Sequence, residues 1–295
     1  MEPQAISIST SPTSVAPQNN KTPRMRFRSI EELFQAINNI SRDYLVVTNV
    51  SPDDFAQISR EREKFPSSLS QKRRIFRLRR YYANTSTLAI TIPTRLHEAL
   101  HLHLYRECER KMGIMGLWNS WEPIGSATFR PQGHPGDGGE GDSTGGPDPE
   151  RATVDAWPTF VIEAGDSEPL GELRRDMRWW FSASDHQVKI VLLAKFEHTR
   201  REILIEKWEE DLPFRPGATA TRQSVASTAL EPVLRQNITI LQNAATNPVS
   251  YHVTRGALLL SFRLLFLRNP GPQEGDIIIG LPELEHYAEK VWRHI

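Results

Sequence analysis

The sequence predicts an α/β protein of the α+β type, with a central mixed sheet flanked by helices. Two β-rich apolar runs, over 160–162 and 188–192, predict strands. Between them, apolar residues recur at steps of three or four, as in a helix with one buried face: Leu170, Leu173, Met177, Trp180 and Phe181. The length of 295 residues, with 38% apolar and 24% charged residues, is enough for a substantial core. A strand, helix and strand in this order usually place both strands parallel in one sheet.

The N-terminal third predicts a tail followed by a small α/β extension. Residues 1–24 are rich in Ser, Thr, Pro and Gln and contain almost no bulky apolar residues, so we expect a disordered tail. The extension covers 25–92. Its helices are expected to begin at Ser29, which forms a capping box with Glu32, and at Ser51. Its strands are expected over 44–47, 73–82 and 87–92.

The remaining residues, 93–295, are expected to form one larger domain. Thr94 caps a predicted long helix that reaches about residue 112. Residues 132–150 are rich in Gly, Pro and Asp, which predicts a loop in which any strand must be short. The other expected elements are strands over 124–130 and 202–208, an insertion without periodicity over 213–247, an apolar segment over 257–267, and a closing amphipathic helix over 281–295.

Composition excludes several classes of function. Lys plus Arg and Asp plus Glu both count 36, so no net charge draws the chain toward nucleic acid or anionic lipid, and any nucleic-acid site must be a local patch. Cys108 is the only cysteine, which excludes an internal disulfide framework and a thiolate-rich zinc site. We recognise neither a signal peptide nor a run of about 20 apolar residues. These features predict an intracellular protein, cytoplasmic or nuclear, without a membrane partner.

Several motifs in the middle of the chain resemble the restriction-endonuclease-like, PD-(D/E)XK nuclease superfamily, and more closely a fungal branch of it. The similarity covers residues 94 to about 210. The motifs that carry it are Gly125-Ser126-Ala127, Glu140-Gly141-Asp142, Trp157 to Gly165, Ser167-Glu168, Asp176 to Trp180, and Ile205 to Trp208. The resemblance implies a restriction-endonuclease-like core and a divalent-metal-dependent nuclease, or a degenerate relative that still binds nucleic acid.

The resemblance also implies a metal site. An acidic residue on one core strand and the Glu of a Glu-x-Lys motif on the next would bind Mg²⁺ or Mn²⁺, which activates water toward a phosphodiester. By position, Glu163 is the strand carboxylate and Asp142 its acidic partner, with Glu98 as a third ligand. Asp148 and Asp155 compete with Asp142 for this role. A salt-bridged Glu163 and a solvated turn residue at Asp142 are the structural alternatives.

The chain departs from the motif where the family has its lysine. Gly165 occupies that position and offers no cation to the site. Arg178 on the following helix could supply a migrated cation, although a guanidinium cannot act as a base near neutral pH. Lys189 is a further candidate. The missing lysine therefore leaves open a noncatalytic protein-interaction scaffold.

A second motif, His97-Glu98-Ala99-Leu100-His101, reads HExxH on the predicted long helix. This spacing places two imidazoles on one helix face, where Zn²⁺ could bind both while Glu98 activates a metal-bound water. Glu107 lies where a third ligand is sometimes found. A zinc metallopeptidase is therefore an alternative function, and two surface histidines beside an apolar stripe are the structural alternative.

One segment is densely basic. Lys72, Arg73, Arg74, Arg77, Arg79 and Arg80 alternate with apolar and aromatic residues. Such a strand could bind a phosphate backbone through Arg74, Arg77, Arg79 and Arg80, with Tyr81 or Tyr82 stacking on a base. A charged sheet edge that prevents aggregation is an equal alternative. Trp179, Trp180 and Trp208 are expected to lie in the core.

Overall fold

The computed structural model describes residues 22–64, 74–125, 127–131, 137–212 and 230–295. These residues form a mixed α+β fold with a large mixed sheet flanked by helices, which confirms the predicted α/β class. Almost all of the predicted tail, residues 1–21, lies outside the described residues, as do residues 213–229 of the predicted insertion.

A six-stranded sheet contains the N-terminal strands. Its order is β1 (Arg24–Arg26), β2 (Tyr44–Thr48), β4 (Thr87–Thr91), β3 (Arg77–Tyr82), β7 (Gly138–Glu140) and β6 (Thr128–Phe129). Helices α1 (Ile30–Asn39) and α2 (Pro52–Glu63) contribute buried apolar residues to the same core cluster as this sheet. Since β6 and β7 follow residue 93, the sheet joins the predicted extension to the predicted larger domain.

The second sheet has seven strands. Its order is β13 (Ser250–Thr254), β12 (Glu231–Asn243), β11 (Glu202–Asp211), β10 (Ile190–Glu197), β9 (Phe160–Gly165), β8 (Ser143–Pro147) and β5 (Trp121–Pro123). Only β9 and β10 run parallel among these pairs, as the strand–helix–strand pattern predicts, and the other neighbours are antiparallel. A two-stranded sheet pairs β14 (Leu258–Leu260) with β15 (Ile277–Ile279).

Helices cover both faces of the seven-stranded sheet. Helix α3 (Arg95–Ile114) and the closing helix α6 (Leu281–Trp292) share a core with Phe160, Ile162 and Ala164 of β9. Helix α4 (Leu170–Ala183) shares a different core with Val161, and a short α5 (Phe262–Phe266) follows β14. Because side chains alternate along a strand, Glu163 lies on the α4 face with Val161.

The helix starts agree with the sequence. The Ser29 hydroxyl accepts a hydrogen bond from the backbone N–H of Glu32, and the Thr94 hydroxyl accepts one from that of His97. Each bond satisfies a backbone donor that the helix itself leaves unpaired. Helix α6 begins at Leu281 as expected, and the described part of the predicted Gly-rich loop, residues 137–150, contains only the short strands β7 and β8.

One prediction for the C-terminal part was wrong. The 13-residue strand β12 lies inside the predicted insertion over 213–247 and pairs with β11 along ten residues of that strand. Only Ile238 and Ile240 of this strand are buried. Since most β12 side chains are half-buried or exposed, the strand lacks the apolar alternation by which strands are recognised in a sequence.

A β-bulge in β3 determines the site described below. Arg77 pairs with Thr91 and Arg80 pairs with Ala89, so β3 advances three residues while β4 advances two. An extra residue in one strand locally changes which way the side chains point. Arg79 and Arg80, although adjacent, consequently both reach carboxylates of β9 and α4, while Leu78 and Tyr81 pack into the core around α1 and α2.

Candidate metal centre

The fold brings Asp142 and Glu163 together, as predicted. Asp142 immediately precedes β8, and its Oδ2 accepts a hydrogen bond of 2.8 Å from the backbone N–H of Ala164, the residue after Glu163. Both carboxylates are buried, and both contact Arg79. Asp148 and Asp155, the competitors for this role, are exposed.

Arg79 lies among four carboxyl groups. Its side chain is 1% exposed, and its guanidinium nitrogens lie at ion-pair distance from an oxygen of each group. The distances are 3.4 Å to Asp142, 3.3 Å to Glu163, 3.3 Å to Glu168 and 2.6 Å to Asp176. We call Arg79, Arg80, Glu163, Glu168 and Asp176 the arginine cluster. A metal ion bound jointly by Asp142 and Glu163 would have to displace this guanidinium.

Arg80 adds a second cation to the same carboxylates. Its Nη2 lies 2.9 Å from Glu163 Oε1, and its guanidinium carbon lies 4.0 Å from the centre of the Trp179 ring. The indole of Trp180 also donates a hydrogen bond to Glu163. Gly139 on the neighbouring β7 leaves room for this arrangement, because a Cβ atom there would lie 1.9 Å from Nη1 of Arg80.

The pKa values of the carboxyl groups in the arginine cluster shift in opposite directions. Burial raises the pKa of Glu163 and Glu168 above the ordinary range, although Arg79 opposes the change. Burial would also raise the pKa of Asp176, but Arg80 and Arg79 lower it overall. Burial would lower the pKa of Arg79, yet the surrounding carboxylates, Glu168 foremost, raise it well above normal. The guanidinium therefore remains charged.

The predicted migrated cations do not lie at the site. Arg178 is on the exposed face of α4 and donates to the carbonyl of Arg174, and Lys189 donates to the carbonyl of His186. Arg79 and Arg80, which come from the N-terminal sheet, are the cations beside Glu163. Arg178 lies two positions after Asp176 on α4. Two positions of an α-helix correspond to a rotation of about 200° around its axis, so the Arg178 side chain points away from Asp176.

One basic residue near the motif was missed from the sequence. Lys195 on β10 pairs in register with Gly165, so its side chain lies on the same face as Glu163. The side chain is largely buried, and its Nζ donates to the carbonyls of Asp166 and Phe196. It borders a cleft of about 540 Å³ that Glu168 also lines. The parallel pairing of the two strands was the signal that could have identified it.

His97, Glu98 and His101 form a second group, which we call the histidine cluster. Their candidate ligand atoms all lie within 4.8 Å of one another, so the group could hold a metal ion. Nδ1 of His97 lies 3.1 Å from Asp43 Oδ2, and Nδ1 of His101 lies 2.8 Å from the Ser143 hydroxyl. The two imidazoles are 1% and 0% exposed.

Asp142 connects the two clusters. Its Oδ2 faces Arg79, and its Oδ1 lies 3.1 Å from Nε2 of His97 and 3.0 Å from Nη1 of Arg77. Burial would raise the pKa of Asp142, but His97 and Arg79 hold it well below its usual range. Asp142 is therefore an anion that cations on both sides stabilise.

The pKa values of the two imidazoles shift in opposite directions. Burial would lower the pKa of His97, but the carboxylates of Asp142 and Asp43 raise it to about 10. Burial lowers the pKa of His101, so this imidazole is neutral at neutral pH. Asp43 also accepts hydrogen bonds from the backbone N–H groups of Asp166 and Ser167, so it joins the N-terminal extension to the end of β9.

The geometry gives the HExxH motif no peptidase arrangement. Helix α3 continues unbroken from Arg95 to Ile114, and Glu107, the suggested third ligand, pairs with Arg110 one turn away. Because His97 and His101 are almost completely buried, a peptide carbonyl has no access to their nitrogens. The structural alternative of two surface histidines was wrong, since neither histidine lies on the surface.

The predicted basic surface is largely internal. Arg79 and Arg80 are buried in ion pairs, Arg77 pairs with Glu98 and Asp142, and Arg74 donates to the backbone carbonyl of Ile40. These contacts give the four arginines protein partners rather than an exposed phosphate-binding face. Lys72 and Arg73 lie outside the described residues.

Comparisons with known proteins add no family assignment. A scan against protein-family models finds no match for this chain, and a search of curated proteins finds no relative of significant similarity. Within the described part of the chain, no helix combines the length and apolar character needed to cross a bilayer.

Proposed function

We propose that this protein is a noncatalytic interaction scaffold whose nuclease-like acidic cluster is neutralised by its own arginines rather than by a divalent metal. The position of Arg79, within ion-pair distance of four carboxyl groups, carries this proposal. A planar guanidinium donates several hydrogen bonds in a fixed fork and stays charged at all physiological pH values. It therefore places a permanent positive charge among the carboxyl groups that a metal would need.

Energetics supports the same conclusion. Mg²⁺ requires near-octahedral oxygen coordination at about 2.0–2.1 Å, so it cannot share Asp142 and Glu163 with the buried guanidinium. Removing one partner from a buried ion pair costs about 3–5 kcal/mol. Since about 1.4 kcal/mol is a tenfold change in affinity, expelling Arg79 would weaken metal binding by about 10²- to 10⁴-fold.

Gly165 provides a second line of support. A Cβ atom at this position would lie 2.8 Å from Cδ1 of Leu173, so a lysine there would require the buried Leu173 side chain to move. Glu163 itself is 0% exposed, which leaves no approach for a phosphodiester. The local packing is therefore adapted to the missing lysine.

The test is a titration of Mg²⁺ and Mn²⁺ into metal-free wild type and into Glu163→Gln, paired with a nuclease assay on single- and double-stranded DNA and RNA. We expect both proteins to show the same metal binding at millimolar concentration and no cleavage above the background of the variant. Mn²⁺-dependent cleavage that disappears in a folded Glu163→Gln variant would contradict the proposal.

A second candidate, a divalent-metal-dependent nuclease, is favoured by Lys195. This residue lies beside Gly165 on the Glu163 face, where it could replace the motif lysine if Arg79 were displaced. Under this candidate, Lys195→Met abolishes cleavage as completely as Glu163→Gln does, while the exposed Arg178→Met leaves cleavage unchanged. Cleavage by wild type that survives Lys195→Met would remove this assignment.

A further inference from the structure

The histidine cluster contains two buried ring nitrogens that make no hydrogen bond within the described part of the chain. They are Nε2 of His97 and Nε2 of His101. The nearest carboxylate oxygens, Asp142 Oδ1 at 3.1 Å and Glu98 Oε1 at 3.3 Å, are close but out of line for hydrogen bonding. Each nitrogen thus lies beside a carboxylate without forming a hydrogen bond to it, an arrangement that a metal ion bound between the two groups would satisfy.

The helix presents three donors to one point. Successive residues of an α-helix are rotated by about 100°, so His101 lies about 40° and Glu98 about 100° around α3 from His97. All three donors fall on one face, within 4.8 Å of one another. A tetrahedral ion with bonds of about 2.0–2.2 Å needs donors about 3.4 Å apart, so small side-chain rotations would bring these three donors to bonding distance and leave the fourth position open. Glu98 would exchange its ion pair with Arg77, whose Nη2 lies 3.0 Å from Oε1, for the metal ion.

Residues around the imidazoles are arranged as outer-shell partners of a metal site. A ligating histidine usually donates its second ring N–H to a carboxylate, a carbonyl or water, which fixes the ring and the free nitrogen. Here Nδ1 of His97 faces Asp43, and Nδ1 of His101 faces the hydroxyl of Ser143. These contacts engage Nδ1 of both rings, which leaves Nε2 of each ring as the candidate ligand atom.

We infer that the histidine cluster is a structural zinc site, in which one Zn²⁺ is bound by Nε2 of His97, Nε2 of His101 and the carboxylate of Glu98. Two imidazole nitrogens and one carboxylate are a donor set that suits zinc, whereas Mg²⁺ prefers oxygen donors alone. Because Asp43 belongs to the N-terminal extension, the ion would stabilise the attachment of that extension to α3 and to the end of β9.

The first experiment is a titration of Zn²⁺ into the metal-free full chain, in competition with a chromophoric chelator. We expect about one Zn²⁺ per chain and an increase in unfolding temperature on binding, because a ligand that binds only the folded state stabilises it. Co²⁺ then serves as a spectroscopic probe. Intense visible absorption of the Co²⁺ protein would report a low-coordinate site, and X-ray absorption of the Zn²⁺ protein would report two imidazoles.

Asparagine variants of the two histidines remove the ligand atom Nε2 while keeping a group that can contact Asp43 or Ser143. In His97→Asn and His101→Asn, the amide can take the place of Nδ1 beside Asp43 or Ser143, but Nε2 is lost. Each should weaken Zn²⁺ binding by more than about 100-fold, and Asp43→Asn by about 10- to 100-fold, the usual range for an outer-shell partner. His103→Asn, on another face of α3, is the matched control and should bind as wild type does.

Wild type that fails to bind Zn²⁺ stoichiometrically would overturn the inference, whether or not the asparagine variants fold. So would unchanged binding in folded His97→Asn and His101→Asn, since the metal would then lie elsewhere. The result is independent of the proposed function, because Glu163→Gln should retain full Zn²⁺ binding. A loss of Zn²⁺ binding in Glu163→Gln would instead place the ion in the arginine cluster and contradict both proposals.

Discussion

The arginine cluster and the histidine cluster lie on opposite sides of Asp142, and they use buried charge in different ways. In the arginine cluster, Arg79 and Arg80 already neutralise the carboxyl groups. In the histidine cluster, Nε2 of His97 and Nε2 of His101 lie at ion-pair distance from Asp142 and Glu98. One half of the polar centre is therefore neutralised by guanidinium groups, which do not bind metal ions, and the other half contains imidazoles, which do.

The difference shows that an acidic cluster alone does not predict a metal site. Glu163 and Asp142 have the residue types and the proximity that the resemblance implies, but the arginines around them determine what they can bind. Those arginines come from β3, and Arg79 lies 97 residues before its partner Asp176 in the chain. The histidine cluster offers imidazole nitrogens, which suit zinc better than they suit ions that prefer oxygen ligands.

The largest expected effect tests whether Arg79 holds the arginine cluster together. Arg79→Met retains much of the volume but removes the charge, which leaves several buried carboxylates without their partner. We expect the free energy of unfolding to fall by about 3–5 kcal/mol, measured by urea denaturation at neutral pH. The matched control, Arg178→Met on the exposed face of α4, should change it by less than about 0.5 kcal/mol. An Arg79→Met loss as small as that of the control would show that the guanidinium is dispensable.

A smaller effect tests the space that Gly139 leaves for Arg80. A Cβ atom there would lie 1.9 Å from Nη1 of Arg80 and 2.7 Å from the backbone oxygen of Arg79. Gly139→Ala should lower the free energy of unfolding by about 1–3 kcal/mol, the usual cost of overpacking. Gly171→Ala in α4, where no atom lies within 4 Å of the added Cβ, should be neutral or stabilising by up to about 1 kcal/mol. Equal effects of the two substitutions would contradict the close approach.

The pH dependence of stability sharpens the comparison within the arginine cluster. The pKa of Asp176 is lowered, so its ionised form stabilises the fold above about pH 4, and that contribution is lost as the pH falls through the lowered pKa. Asp176→Asn should therefore cost about 1–3 kcal/mol at neutral pH, and the cost should shrink in acid.

For Glu168, stability should depend on pH in the opposite way to that for Asp176. Burial raises its pKa, so the fold favours the protonated form and wild type loses stability from this group as the pH rises above about 4.5. Glu168→Gln remains neutral, so its stability relative to wild type should increase from acid to neutral pH. Denaturation curves of both variants at several pH values between about 3 and 7 provide the measurement. The same pH trend in Asp176→Asn and Glu168→Gln would refute the assigned pKa directions.

Local sequence patterns were sufficient for much of the fold. The caps at Ser29 and Thr94 were readable because a capping bond spans only three residues. The parallel pair β9 and β10 follows from a strand–helix–strand pattern. Strand β12 was missed because its stability comes from pairing with β11, and its mostly exposed side chains show no apolar alternation.

The candidate site was less predictable because it depends on long-range contacts. The choice of Asp142 over its neighbours agrees with its contact to the backbone beside Glu163. The role of Arg79 and Arg80 depends on a bulge that reverses the usual alternation of a strand, and their basic sequence also fitted an exposed surface. The adjacent Arg79 and Arg80 between Leu78 and Tyr81 were the available signal, but their partners were not visible in the sequence.

The most direct test of the two-cluster account is an anomalous diffraction map from crystals of the full chain soaked in Zn²⁺ and, separately, in Mn²⁺. The account predicts a Zn²⁺ peak between His97, Glu98 and His101, and no Mn²⁺ peak at Glu163, where the guanidinium of Arg79 remains in its ion pairs. A Mn²⁺ peak bridging Asp142 and Glu163, with Arg79 displaced, would contradict the account.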